Sequence, residues 1–215
     1  MPLGAAAAVL LVLASWQVLQ LLFPDGTQSP AASNTTSEPA AVSLQVRIDD
    51  AGLLHVVETV MLESPRKALD LSVPERAGAG KEFRPVISSL VVRVPGPVGE
   101  VPEMGVGDEE TVELPSESAR IVLEYDASGV AVRSGDPSNP ERALALVTPL
   151  VVAQGRGLPW SVAIDSVKVL NVGCLRDDLL TGCGTKTSEG WTVETSGVEG
   201  EHTFDVLAQL NLAVP

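Results

Sequence analysis

The sequence contains few of the residues from which most catalytic and metal centres are built. Its 215 residues include two cysteines, two histidines and 3% aromatic residues. This supply leaves little material for a zinc site or a histidine-based catalytic centre. Basic residues are scarce as well: 14 lysines and arginines stand against 28 acidic residues, and the formal net charge is -14. Because phosphate groups repel so acidic a chain, nucleic acid is not expected as a partner.

The N-terminal segment is strongly hydrophobic and carries no lysine or arginine. Residues 5–23 read AAAAVLLVLASWQVLQLLF, and a helix of this length would span about 28 Å, close to the hydrocarbon core of a bilayer. Residues 1–23 are therefore predicted to be a signal peptide or an N-terminal membrane anchor, and both interpretations stay open. An uncleaved anchor would contact the membrane through residues 5–23. In either case the rest of the chain is expected outside the cytoplasm, secreted or anchored.

Residues 24–41 are predicted to be a disordered linker. Proline, serine, threonine and alanine dominate the segment, which cannot bury enough apolar surface to offset its ordering entropy. The whole chain is 45% hydrophobic, so the remaining residues, 42–215, can bury a core and are predicted to form one domain. A boundary between two small lobes, within the glycine- and proline-rich stretch 95–108, is the alternative.

From residue 42 onward the hydrophobic pattern has a period of two. Leu44, Val46 and Ile48 alternate with polar residues, and the turn signal Asp50–Gly52 follows. This pattern predicts a half-buried strand. Further strands are predicted at residues 53–62, 86–94, 120–126, 144–152 and 203–212, with shorter ones at 69–73, 111–114, 130–133 and 191–195.

Two of the predicted strands carry an irregularity. Residues 144–152 are apolar on both faces, which is typical of a central strand, although Pro149 indicates a bulge or a kink. Near Asp165 and Ser166 the apolar phase of a second strand changes. A β-bulge at that point would turn both Ile164 and Val167 toward the core.

Short strands separated by glycine and proline turns predict an all-β fold. No helical periodicity follows the N-terminal run, and the expected architecture is an antiparallel β-sandwich, immunoglobulin-like or related, preceded by an N-terminal hydrophobic helix. A closed barrel is the alternative.

The chemistry-bearing residues form no known catalytic or cofactor motif. The sequence has no nucleophile elbow, phosphate-binding loop or dinucleotide-binding turn, and no cofactor is expected. His55 and His202 occur singly in predicted strands, His55 on the solvent side. The acidic stretch 100–110 and the pair 177–178 lack the spacing of a calcium loop. They are interpreted as solvated loops, and no metal site is expected.

Glu58 stands apart because it shares its phase with the core-facing residues of its predicted strand. A buried, unpaired carboxylate is costly and its pKa rises, as in catalytic acids. A bulge or edge position, or a partner such as Arg47 or Arg93, would remove that cost. Alternatively, Glu124 or Asp126 could supply the second carboxylate of a glycosidase-like site. Glu58 is thus the candidate functional residue.

Cys174 and Cys183 are predicted to form one disulfide. They are the two cysteines of the chain, lie close in sequence, and are expected in an oxidising compartment. A redox-active pair normally has the C-x-x-C spacing, which these residues lack.

The segment from Asp50 to Val60, DAGLLHVVETV, resembles the opening strand of predicted membrane proteins with an extracytoplasmic N-terminal β-sandwich of unknown function. It also resembles uncharacterised exported actinobacterial proteins. The resemblance covers 11 residues and implies an extracytoplasmic β-domain without catalytic residues. The transmembrane helices expected downstream in the membrane family are absent from this sequence.

These observations favour a non-enzymatic, exported β-sandwich that acts as a binding or structural module at the cell envelope. The expected partner is another envelope protein. The alternative function is a secreted, carboxylate-dependent hydrolase that uses Glu58 and acts on an envelope glycan.

Overall fold

The computed structural model describes residues 39–78, 81–94, 101–176, 179–195 and 205–212. The predicted N-terminal helix and nearly all of the predicted linker lie outside these residues. Across the described ranges, no helix has the length and hydrophobicity needed to cross a bilayer. Strands account for most of the described structure, which confirms the predicted all-β fold.

The regular elements of the described residues are strands of two to 20 residues and one turn of 3-10 helix at Ala153–Gly155. In chain order the strands are β1 (Ala41–Ile48), β2 (Leu54–Ser72), β3 (Arg76–Gly78), β4 (Lys81–Phe83), β5 (Val86–Arg93), β6 (Glu109–Ser128), β7 (Ala131–Arg133), β8 (Arg142–Leu146), β9 (Val151–Val152), β10 (Trp160–Asp165), β11 (Val169–Arg176), β12 (Leu179–Gly182), β13 (Thr185–Lys186), β14 (Trp191–Thr195) and β15 (Asp205–Asn211).

The strands form two mostly antiparallel sheets. The first sheet has the order β13-β14-β10-β1-β2-β6-β5, with β9 also paired to β2. Its neighbours β1 and β10 run parallel, and the other pairs of this sheet are antiparallel. The second sheet has the order β12-β11-β15-β8-β7, and β3 pairs with β4 in a separate hairpin. The arrangement confirms the predicted β-sandwich.

Alternation along the strands places one face of each sheet in a shared core. In β1, Leu44, Val46 and Ile48 are buried while the residues between them are exposed, as the period of two predicts. From the second sheet, Val206, Ala208 and Leu210 of β15 contribute buried side chains to the same core, although Leu207 between them is buried as well. Residues of both sheets belong to one large hydrophobic cluster, which forms the core between the sheets. A second, small cluster contains Phe83, Leu146, Leu175 and Leu207.

Both predictions about irregular strands were wrong in the same way. The run 144–152 is not one central strand: β8 belongs to the second sheet and β9 to the first. Likewise, β10 ends at Asp165 in the first sheet and β11 starts at Val169 in the second. Instead of bulging, the chain crosses between sheets at both places. Val167 lies in the second crossing and is 99% exposed, although the bulge hypothesis placed it in the core.

The predicted disulfide is confirmed. Cys174 and Cys183 are joined, with their Cα atoms 5.7 Å apart. The bond ties β11 to the residue that follows β12, at the edge of the second sheet. Gly184 makes this connection possible, because a Cβ atom there would lie 2.7 Å from the Cβ atom of Val172.

Candidate functional site

A groove of about 950 Å³ lies on the face of the first sheet that points away from the core. Its floor consists of outward-facing residues of β10, β1, β2, β6 and β5, and the turn at residues 187–190 forms one wall. We call it the outer groove. Its residues come from distant parts of the sequence, and the order of the strands in the sheet brings them together.

A row of charged and polar side chains crosses the floor of the outer groove. Strand register places Asp165 opposite Arg47, Arg47 opposite His55, and His55 opposite Asp126. Successive residues of this row therefore lie on neighbouring strands of one sheet face. The alternation of each strand would otherwise leave these side chains as ordinary surface charges. The register makes them a continuous polar stripe.

His55 and Asp126 form the closest polar contact of this stripe. The distance from His55 Nδ1 to Asp126 Oδ1 is 2.6 Å, and the two side chains are 36% and 33% exposed. The carboxylate orients the imidazole ring and favours the tautomer that carries hydrogen on Nδ1. His55 lies on the outer face, as its strand phase predicts, but it is half-buried rather than free in solvent.

This pair does not form a serine-protease-like triad. Such a triad requires the imidazole to lie between the carboxylate and a hydroxyl. In the described sheet the order is Arg47, His55, Asp126 and then Ser88 of β5, so the carboxylate lies between the imidazole and the hydroxyl. In this register the imidazole lies between a guanidinium and a carboxylate, and its hydrogen bond with Asp126 holds it in one orientation.

The backbone of Ser89 is strained where it lines the outer groove. The register of β5 against β6 shifts between Ser88 and Val91. Within this shift Ser89, which lines the groove, has a φ of 54°, and among the described residues it is the non-glycine residue with a positive φ. The left-handed conformation costs roughly 1 kcal/mol or more for a residue with a Cβ atom. Strain of this kind is found disproportionately at binding and catalytic sites.

The wall of the groove is held by hydrogen bonds within one tight turn. Thr187 Oγ1 accepts hydrogen bonds from the backbone N–H groups of Glu189 and Gly190. Gly190 has φ 149°, and a Cβ atom there would lie 2.0 Å from the carbonyl oxygen of Ile164. The adjacent Trp191 donates its indole N–H to the carbonyl oxygen of Val169 at 3.2 Å. These contacts fix the wall against both sheets.

Glu124, which lines the outer groove, forms an ion pair with Arg93. Arg93 Nε and Nη2 donate to its two carboxylate oxygens at 2.8 and 3.0 Å. The hydrogen bonds from Arg93 hold the pKa of Glu124 below its ordinary value. Both side chains are well exposed, so this pair adds little stability and serves mainly to position two charges at the groove edge.

Glu58, the candidate taken from the sequence, points into the core. Its side chain is buried, and Tyr125 donates its hydroxyl hydrogen to Glu58 Oε2 at 3.4 Å. Burial raises the pKa of Glu58 to about 8, an effect that the hydrogen bond from Tyr125 only partly offsets. The arginine partners considered for it are elsewhere, since Arg47 lines the outer groove and Arg93 binds Glu124. The sequence analysis did not identify Tyr125 as the hydrogen-bond partner of Glu58.

The two carboxylates considered as companions of Glu58 lie on the opposite face of the sheet. Glu58 is opposite Leu123 in the register, so Glu124 and Asp126 alternate with inward-facing residues of β6 and line the outer groove. The structure therefore does not bring them together with Glu58, and the hypothesis of a two-carboxylate site built from these residues was wrong.

The remaining candidates form no site in the described chain. Asp108 accepts a hydrogen bond from the backbone N–H of Gly105 at 2.7 Å and closes a turn. No group of three potential metal ligands occurs in the ranges that the structure describes. His202, Glu100 and the pair 177–178 lie outside those ranges.

Comparison with known proteins reveals only distant structural likenesses. No protein-family model matches the chain, and no curated protein matches it. Among solved structures, an aminopeptidase N family protein from Idiomarina loihiensis is similar with a TM-score of 0.45 and 13% identity, over 78% of this chain and 29% of that one. An M1 zinc metallopeptidase from Deinococcus radiodurans has a TM-score of 0.37 and 15% identity, over 80% and 42%.

A third similar structure is leukotriene A4 hydrolase from Saccharomyces cerevisiae, with a TM-score of 0.42 and 7% identity, over 90% of this chain and 33% of that one. The chain spans less than half the length of each of these three proteins.

Proposed function

We propose that this chain is a non-enzymatic, exported binding module of the cell envelope, and that the outer groove is its ligand-binding surface. The observation that carries the proposal is the side-chain order on the groove floor. An imidazole that is held by Asp126 stands between Asp126 and Arg47 on neighbouring strands. Such an arrangement can orient hydrogen bonds and charges toward a ligand. The strained Ser89 in the same groove adds support.

Charge indicates which ligand the outer groove would take. Asp126, Asp165 and Glu189 border it, and the whole chain has a formal net charge of -14. The groove crosses several strands and is long and open, which suits an extended segment better than a compact small molecule. The proposed ligand is an extended polar segment of another envelope protein that carries lysine or arginine side chains.

Two features support an extracytoplasmic location. The disulfide between Cys174 and Cys183 is of the kind that persists in oxidising compartments. The uncharged run 5–23, which lies outside the described residues, has the composition of a signal peptide or an anchor. Within this proposal, the described domain acts outside the membrane and the N-terminal run directs it there.

The proposal is tested by placing a charged side chain on the floor of the groove. Val57 is 39% exposed and lines the groove centre, so Val57→Lys should repel a basic ligand and obstruct it. Wild type and variant are used as tagged full chains in cross-linking and affinity capture from the native envelope, followed by mass spectrometry. We expect one partner to be recovered with the wild type and to be at least about tenfold depleted with the variant.

Val106→Lys is the matched control. Val106 is 38% exposed, close to the exposure of Val57, but it does not line the outer groove. It introduces the same charge on the same protein, and the captured partner should be retained. Equal depletion by both variants, or equal recovery with both, would show that the outer groove does not bind the partner.

The alternative function, hydrolysis of an envelope glycan, makes a different demand on the structure. Glycosidases use two carboxyl groups roughly 5 to 9.5 Å apart across the scissile bond. Glu58 has no second carboxylate among the described residues that line its cavity. Purified wild type and Glu58→Gln are incubated with isolated envelope glycan, and released reducing ends are measured. Hydrolysis by the wild type that is lost in the variant would replace the binding proposal.

A further inference from the structure

A smaller cavity shares no lining residue with the outer groove. Its volume is about 100 Å³, and it lies between β1, β2 and the segment that leads from β8 to β10. We call it the Glu58 pocket. Its walls are largely apolar, and its polar members are Glu58, Thr148 and Arg156, of which Arg156 is exposed. The apolar side chains that line it include Val42, Leu44, Leu150, Val152 and Trp160.

The two inner polar groups of this pocket each keep a hydrogen to donate. Glu58 Oε2 accepts the hydroxyl hydrogen of Tyr125, so a protonated Glu58 retains its own O–H. Thr148 Oγ1 accepts the backbone N–H of Val206 at 3.3 Å, and its hydroxyl hydrogen is likewise left to donate. In both of these hydrogen bonds the pocket group is the acceptor, so neither bond uses the hydroxyl hydrogen of Glu58 or Thr148. Both hydrogens can therefore be donated to a molecule that enters the pocket.

The protonation state agrees with this assignment of donors. Because burial raises the pKa of Glu58 to about 8, the side chain is mostly the neutral acid at neutral pH. The other titratable or charged groups that face it are Tyr125 on β6 and Arg156 in the connection before β10. Burial raises the pKa of Tyr125 far above its ordinary value, so its hydroxyl stays neutral over the same range.

We propose that the Glu58 pocket binds a short aliphatic group that carries a carbonyl oxygen, such as an amide or an ester. One carbonyl oxygen has two lone pairs and accepts hydrogen bonds from two donors, here Glu58 and Thr148. The aliphatic part packs against Val42, Leu44 and Leu150. Water alone would satisfy the donors but would leave these apolar walls without partners.

The test uses N,N-dimethylacetamide as the probe, a neutral aliphatic amide whose carbonyl oxygen accepts hydrogen bonds and which has no N–H to donate. It is titrated into isotopically labelled full chain near pH 6.5, and the amide signal of Thr148 and the indole N–H signal of Trp160 are followed by NMR. We expect saturable shifts confined to residues of the Glu58 pocket. Glu58→Gln, which keeps a donor, should bind within a few-fold of the wild type. Glu58→Leu, which has no donor, should bind about tenfold more weakly.

Raising the pH gives a second readout that a purely structural role would not produce. Near pH 9.5 the wild type should lose the probe, because the ionised carboxylate has no hydrogen to donate, while Glu58→Gln should retain it. This comparison decides the matter even if Glu58→Leu does not fold. Absence of saturable shifts in the wild type, equal binding by Glu58→Leu, or a pH response shared by Glu58→Gln would each overturn the proposal. Val57→Lys should bind the probe normally, which separates this pocket from the outer groove.

Discussion

Glu58 shows how much depends on one carboxyl group in the core of this sandwich. Its strand phase predicts an inward direction, and the structure agrees. The sequence could not name its partner, because Tyr125 lies on a strand whose register follows from the fold and not from local pattern. The same register sends Glu124 and Asp126 to the other face. The sequence of one strand shows which of its side chains share a face, but it does not show which other strand will pair with it.

The buried acid makes stability depend on pH in an unusual direction. The folded state holds its proton up to about pH 8, whereas the unfolded chain releases it near the ordinary pKa of 4.5. The stabilisation from this group is therefore complete below the unfolded pKa and is lost as pH rises between the two values. We expect Glu58 to lower the free energy of unfolding by roughly 1 kcal/mol for each pH unit in that window.

Glu58→Gln removes this dependence while keeping the shape of the side chain. At about pH 5 the variant should lie within about 1–2 kcal/mol of the wild type, the scale of one altered hydrogen bond. Near pH 8 and above it should be the more stable protein. Urea denaturation across this pH range measures the difference in the free energy of unfolding between the two proteins. The other carboxylates are present in both proteins, so their contributions cancel in this difference. Parallel stability curves for the two proteins would contradict the assignment.

At the scale of elements, the strands themselves were more predictable than their sheets. Alternating segments such as residues 191–195 were found where the pattern places them. Apolar runs on both sides of Pro149, and again around Ser166, were misinterpreted because each half faces the same core from a different sheet. An apolar run reports burial and carries no information on which sheet buries it.

The disulfide gives a prediction at this same scale. It closes a loop between residues nine apart, and the chain-entropy relation gives roughly 2–3 kcal/mol for a loop of this size. Replacing Cys174 and Cys183 together by alanine should lower the free energy of unfolding by that amount, measured by urea denaturation. Wild type treated with reductant is the control and should match the variant. A double variant as stable as the oxidised wild type would show that the bond does not constrain the unfolded chain.

At the scale of the whole molecule, the candidate surface could not be derived from the sequence. The floor of the outer groove draws on Arg47, His55, Asp126 and Asp165, which no motif connects. Each looks like a solvated charge on its own strand. Only the parallel pairing of β1 with β10 brings Asp165 beside Arg47, and parallel partners distant in sequence leave no local signal.

Export of the whole molecule is directly testable. Fusion of residues 1–41 to a reporter that is active only after export should give activity outside the cytoplasm, because the uncharged run 5–23 is long enough to engage a membrane. A fusion of residues 24–41, which lacks that run, is the matched control and should be inactive. Activity confined to a cytoplasmic reporter would contradict the proposed location.

The parallel pair of β1 and β10 also has a consequence for how the chain folds. Val42 pairs with Trp160, so one edge of β1 stays open until most of the chain has been synthesised. Contacts so distant in sequence raise the contact order, which slows folding, and an open edge with alternating apolar residues can pair with other chains. A chain truncated before β10 would therefore be prone to aggregate.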